Sequence, residues 1–173
     1  MREITNKKKI LEFMQAFARP ANQDVRVYFT GGATAVLFGW RETTIDIDLR
    51  FEPELDELFR SIQNIKETLQ INVELAAPSD FIPELPGWET RSQYIGREGK
   101  VSYYHYDPYS QTLAKIERSH AQDLTDVESM MQEGLVDRKK LLELFQSIES
   151  QLYKYPAIDP DSFSRSVRAA IGE

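Results

Sequence analysis

An α+β fold, with a mixed sheet backed by helices and a helical C-terminal part, follows from three features of the sequence. Residues Thr43–Phe51 alternate apolar and polar side chains with a period of two, as a half-buried strand does. Residues Tyr94–Tyr106 carry two β-rich arms around Gly96-Arg97-Glu98-Gly99, which reads as a hairpin. From Ser110 onward the apolar residues recur at helical spacing. Strands first and helices after place the sheet at about residues 20–110 and the helical part at about 111–173. A chain of 173 residues is expected to form a single domain, 1–173.

The elements follow in order. Ile10, Leu11, Phe13, Met14 and Phe17 mark an amphipathic helix over about Thr5–Phe17, ended by Pro20 and Asn22. Val25–Phe29 is a short strand, punctuated by Gly31-Gly32. Ala33–Phe38 is helix-forming and Gly39 stops it. In Thr43–Phe51, Ile45, Ile47, Leu49 and Phe51 fall on one face, and Thr44, Asp46, Asp48 and Arg50 on the other. Pro53 ends this strand. A helix over Glu54–Leu69 and a strand over Ile71–Leu75 follow. Pro78–Trp88 reads as a loop. After the hairpin, helices are expected over Ser110–Ser119, Leu124–Glu133 and Asp137–Leu152, then an extended link and a last short helix after Asp161.

Composition narrows the classes. Hydrophobic residues make up 41% and charged residues 28%, as in an ordinary globular protein. The absence of cysteine excludes disulfides and thiolate metal sites. The Lys7-Lys8-Lys9 run is not followed by an apolar stretch of signal-peptide length, and no run approaches the length of a membrane span. A cytoplasmic location without membrane contact is therefore expected. A net charge of −7 argues against an extensive nucleic-acid surface, though not against a local contact with an RNA end.

The chemistry concentrates in Gly31-Gly32, followed after thirteen residues (33–45) by Asp46-Ile47-Asp48. A glycine pair between strand and helix serves either a tight turn or the close approach of a phosphate to helix N-terminal amides. Residues i and i+2 of a strand project to the same side, about 6.5 Å apart. Two carboxylates so placed repel unless a cation lies between them, and Mg²⁺ prefers such oxygen ligands. The competing explanation is a solvated strand face, but Asp is disfavoured in strands. Glu74 supplies a third carboxylate if its strand lies beside Ile45–Leu49; otherwise it is an exposed strand acid. Lys115 and Arg118, three apart on a helix, share a face that suits either solvent or a triphosphate. Asp123 and Asp126 fit an N-cap and its capping box. Tyr103, Tyr104, Tyr106 and Tyr109 read as packing residues, and nothing pairs His105 with His120 as metal ligands. P-loop and dinucleotide fingerprints are absent from the sequence.

These residues resemble the nucleotidyltransferase-fold superfamily, whose signature is a Gly-[Gly/Ser] pair, a spacer, Asp-x-Asp and a later carboxylate. Thr30-Gly31-Gly32-Ala33-Thr34-Ala35 and Arg41 to Leu49 are similar to the variant in bacterial abortive-infection and toxin-like members. Leu113–Arg118 and Gln122–Val127 resemble the second half of that pattern. Asn72–Trp88 and Tyr104–Arg118 resemble a bacterial family of uncharacterised nucleotidyltransferase-like proteins. The spacer is at the long end of the range, and Glu74 stands where Asp is commoner. The resemblance implies transfer of a nucleoside monophosphate from an NTP to a hydroxyl of RNA (tRNA among the candidates), protein or a small molecule. It implies Mg²⁺ or Mn²⁺ held by Asp46, Asp48 and Glu74. Nucleotide contacts fall to Gly31, Gly32, Thr44, Lys115 and Arg118, with Thr30 and Thr34 supplying hydroxyls in place of the usual serine. An antitoxin-like protein partner is implied by the toxin-like relatives. The alternative is a catalytically silent binding module on the same fold.

Overall fold

The computed structural model describes residues 4–173. These divide into two compact units, one formed by residues up to 77 and 92–105, the other by residues 78–91 and 106–173. The mixed α+β class expected from the sequence is the class observed.

The first unit begins with a short strand, β1 (Thr5–Asn6), and helix α1 (Lys7–Ala18). Asn6 caps α1, its side chain accepting from the Lys9 amide at 3.0 Å. Strand β2 (Val25–Thr30) leads through Gly31 into helix α2 (Gly32–Phe38), which Gly39 closes in the left-handed conformation at φ +98°. The expected strand over Thr43–Phe51 is two pieces. Strand β3 (Thr43–Thr44) pairs with β1, and β4 (Asp46–Glu52) joins the main sheet. The alternation therefore fails at its first member. Ile45 lies at the junction and is 75% exposed, whereas Ile47, Leu49 and Phe51 are buried. Helix α3 (Asp56–Leu69) and strand β5 (Asn72–Leu75) follow, and the unit closes with the hairpin β6 (Gln93–Glu98) and β7 (Val101–His105).

The five main strands lie in the order β5-β4-β2-β7-β6. The β2/β4 and β6/β7 pairs are antiparallel, and β2/β7 and β4/β5 are parallel. One face of this sheet carries the core. Val27, Phe29, Ile47, Leu49, Val73 and Tyr103 pack with Phe13 and Phe17 of α1 and with Leu58 and Ile62 of α3. The Phe17 ring meets Phe51 edge-on at 5.5 Å, and the Tyr103 hydroxyl donates to the Met14 carbonyl at 2.6 Å. The other face, by the period of two, carries Asp46, Asp48, Asn72 and Glu74.

In the second unit, Pro78–Asp80 forms a 3₁₀ turn and Trp88–Arg91 a short helix, α4, so the expected loop has local structure. Helices α5 (Pro108–Arg118), α6 (Ala121–Gln132), α7 (Arg138–Ile148) and α8 (Pro160–Ala170) complete it, with a 3₁₀ segment at Glu149–Lys154. Their apolar faces meet around Leu113, Ile116, Leu141, Phe145 and Phe163. Asp107, fully buried, caps α5 and takes the Arg91 guanidinium through two bonds of 3.1 and 2.9 Å. Among the described residues no helix is long and apolar enough to cross a membrane.

Candidate metal centre

The site is built by strand register. In the parallel β4/β5 pair, Asp46 stands opposite Asn72 and Asp48 opposite Glu74. Side chains at alternate positions of neighbouring strands project to one side, so four polar groups gather on one face. One carboxylate oxygen from each of Asp46, Asp48 and Glu74 lies within 4.8 Å of the other two. Asp46 and Asp48 are half-buried and Glu74 is exposed. Like charges this close attract a cation, and an all-oxygen donor set suits a hard divalent ion.

Asn72 is a member of this group that the sequence did not single out. Its Nδ2 donates to Asp46 Oδ1 and also lies 3.4 Å from Glu74 Oε1. The signal that could have found it is the spacing Asn72-x-Glu74, which repeats the i, i+2 geometry of the two aspartates on the adjoining strand.

The glycine pair docks the β2–α2 turn onto β4. Gly31 has φ +63° and ψ −131°, which side-chain-bearing residues avoid, and a Cβ there would stand 3.0 Å from Asp48 Oδ2. A Cβ on Gly32 would lie 1.9 Å from Thr44 Oγ1 and 3.3 Å from Arg41 Nη1. The absent side chains thus make room for Asp48 and Thr44. Thr44, buried, donates its hydroxyl to the Asp46 carbonyl at 3.1 Å and so fixes the start of β4. Arg41, whose guanidinium stands over Gly32, is a second residue given no role from sequence.

Thr34 is buried. It is 1% exposed, and its hydroxyl lies 3.4 Å from the Phe29 carbonyl and 3.1 Å from His105 Nδ1. His105 is stacked on Phe38 at 4.4 Å. Burial pushes the imidazole down to about 4, so it is neutral at neutral pH.

In the second unit, Lys115 and Arg118 are engaged with acids. Lys115, only 6% exposed, places Nζ 2.9 Å from Asp126 and 3.6 Å from Asp123. Arg118 grips Asp123 through two bonds of 2.9 and 2.6 Å. Burial works to raise the Asp123 carboxyl, but the Arg118 hydrogen bonds and the charges of Lys115 and Arg118 outweigh it and hold the group below its ordinary value. The capping expectation for these acids is corrected. His120 is the N-cap residue of α6, Asp123 sits at the third helical position with its carboxylate accepting from the His120 backbone, and Asp126 faces Lys115. The buried Lys115 and the half-exposed Arg118, both on the preceding helix, take these two carboxylates.

Residues 7–160 match the model of a family described as nucleotidyltransferase of unknown function (DUF6036). No curated protein and no solved structure matches the chain.

Proposed function

We propose, since the chain belongs to the DUF6036 family of nucleotidyltransferases of unknown function, that it transfers a nucleoside monophosphate from a metal-bound NTP to an acceptor hydroxyl. The observation that carries this reading is the convergence of Asp46, Asp48 and Glu74 within 4.8 Å across two paired strands. Their oxygen donors fit Mg²⁺ or Mn²⁺. When bound, the ion would neutralise phosphate charge and lower the cost of charge development on the oxygens that exchange at phosphorus.

The chain's own residues would hold and align the reactants. Asp46 and Asp48, fixed by the β2/β4 and β4/β5 ladders, supply rigid ligands. Glu74, more exposed, completes the set or accepts the proton of the acceptor hydroxyl. The acceptor oxygen forms a bond to the α-phosphorus, the bond from that phosphorus to the α–β bridging oxygen breaks, and pyrophosphate leaves with the electron pair. Gly31 and Gly32 admit the phosphates to the backbone, and Arg41 is the cation beside them. Lys115 and Arg118, paired with Asp126 and Asp123 in the second unit, are proposed as contacts to the nucleotide phosphates, and Arg41 beside the glycine turn joins them. Thr44 acts through Asp46 by holding its carbonyl.

The alternative of a silent binding module gains support if Glu74 stands away from the aspartates. Its place beside them supports the enzymatic reading instead. RNA, a protein side chain or a small molecule all present suitable hydroxyls, and a toxin-like role with an antitoxin-like partner is the biological setting we favour. The test is incubation of the chain with Mn²⁺ and each α-labelled NTP in a cell extract, with label transfer and pyrophosphate both counted. Transfer by wild type that disappears in Asp46→Asn/Asp48→Asn supports the reading. Equal label transfer by wild type and variant would sink it.

A further inference from the structure

A carboxamide standing between two carboxylates has a consequence for ion binding. Asn72 Nδ2 donates to Asp46 Oδ1 and reaches Glu74 Oε1 at 3.4 Å. Its backbone is fixed directly opposite Asp46 by the β4/β5 register, and the side chain is half-buried. An Asn amide carries two N–H donors and one acceptor oxygen. With its nitrogen toward the acids it offsets part of their mutual repulsion and keeps Asp46 and Glu74 a fixed distance apart. An arriving cation competes for the same oxygens and opposes an N–H directed at them. Rotation about the terminal torsion of Asn exchanges nitrogen for oxygen, and that torsion is broad and two-fold. The amide oxygen is itself an ordinary ligand of hard divalent ions.

We propose that Asn72 is a fourth member of the metal site. It is a positioning residue that sets the spacing of Asp46 and Glu74 in the ion-free chain and turns its Oδ1 to a divalent cation when one binds. The inference rests on the reading of Asp46, Asp48 and Glu74 as metal ligands. It separates two jobs: the nitrogen spaces the carboxylates, and the oxygen joins a bound ion. Leucine, of similar size, can do neither. Aspartate keeps an oxygen but has no N–H, and it adds a fourth charge.

The experiment is titration of the full chain with Mn²⁺ alone, free ion being counted by its paramagnetic resonance signal, together with melting curves with and without Mn²⁺. Wild type, Asp46→Asn/Asp48→Asn, Asn72→Leu and Asn72→Asp are compared. Asn72→Leu is expected to weaken Mn²⁺ binding by about 10–100-fold, the usual effect of removing a supporting partner at a metal site. Asn72→Asp is expected to bind at least as tightly as wild type, to melt lower without the ion, and to recover on saturation. Wild-type affinity in Asn72→Leu overturns the inference and leaves the three-carboxylate reading standing. A loss in Asn72→Asp equal to that in Asn72→Leu overturns the role of the oxygen. If Asn72→Leu fails to fold, Asn72→Ala takes its place in the comparison, with the same loss of about 10–100-fold expected and wild-type affinity overturning the inference. Absence of Mn²⁺ binding by wild type, or equal binding by the double aspartate variant, overturns the reading of the site and the inference with it.

Discussion

At the scale of single residues, His105 makes a pH-dependent contribution that can be separated from every other. Its folded-state value of about 4 lies below the ordinary 6.5 because burial disfavours the imidazolium. The unfolded chain therefore binds more protons between those values, and stability falls as pH drops through that window. It is fully present above about pH 6.5. At about 1.4 kcal/mol per pH unit, His105 removes about 2 kcal/mol between pH 7 and pH 5. His105→Phe, which keeps the stack on Phe38, should flatten that part of the profile in denaturant titrations at the two pH values. An unchanged slope would mean that the imidazole titrates in the fold as it does in the unfolded chain. Gly32 gives a second residue-level expectation. Gly32→Ala sets a methyl 1.9 Å from Thr44 Oγ1 and 2.6 Å from its Cβ, an overlap that should cost about 1–3 kcal/mol. Thr44→Gly in the same chain should return part of that loss, giving a coupling energy in a double-mutant cycle. Additive effects would show that the turn and β3 are not in contact.

Among the elements, α4 and α5 are tied by one buried carboxylate. Asp107 accepts from the Tyr109 and Ser110 amides, from the Ser110 hydroxyl and from Arg91. Asp107→Ala removes the α5 cap and leaves Arg91, whose side chain is 18% exposed, without its buried counter-charge. The expected loss is about 3 kcal/mol, at the lower end for a broken buried pair, and thermal unfolding of the variant measures it. A loss under 1 kcal/mol would show that the pair contributes no more than a surface bridge. The sequence made α5 legible through its period and Asp107-Pro108, and β4 through its alternation. Where it failed, the missing information was non-local. The β1/β3 pair joins two-residue strands too short to carry a period. Ile45 fits an alternating pattern whose strand breaks between Thr44 and Asp46. Asp123 and Asp126 satisfy a capping pattern locally, yet the cations that orient them lie on the preceding helix.

For the molecule as a whole, Asp46 and Asp48 were legible from residue type and spacing, and Glu74 joined them only through the resemblance and on the condition that its strand pairs with β4. Asn72 was not legible, because its place beside Asp46 depends on which strand pairs with β4. An acidic chain, net −7, with three carboxylates gathered on one sheet face suits a cation, and under the proposed function that cation carries an NTP. Mg·ATP, Mg·GTP, Mg·CTP and Mg·UTP are titrated calorimetrically into wild type and into Asp46→Asn/Asp48→Asn. A metal-borne NTP site requires that wild type bind at least one of the four in a Mg²⁺-dependent manner and that the double variant lose this binding. Wild type binding none of them, or the variant binding as tightly as wild type, would contradict it.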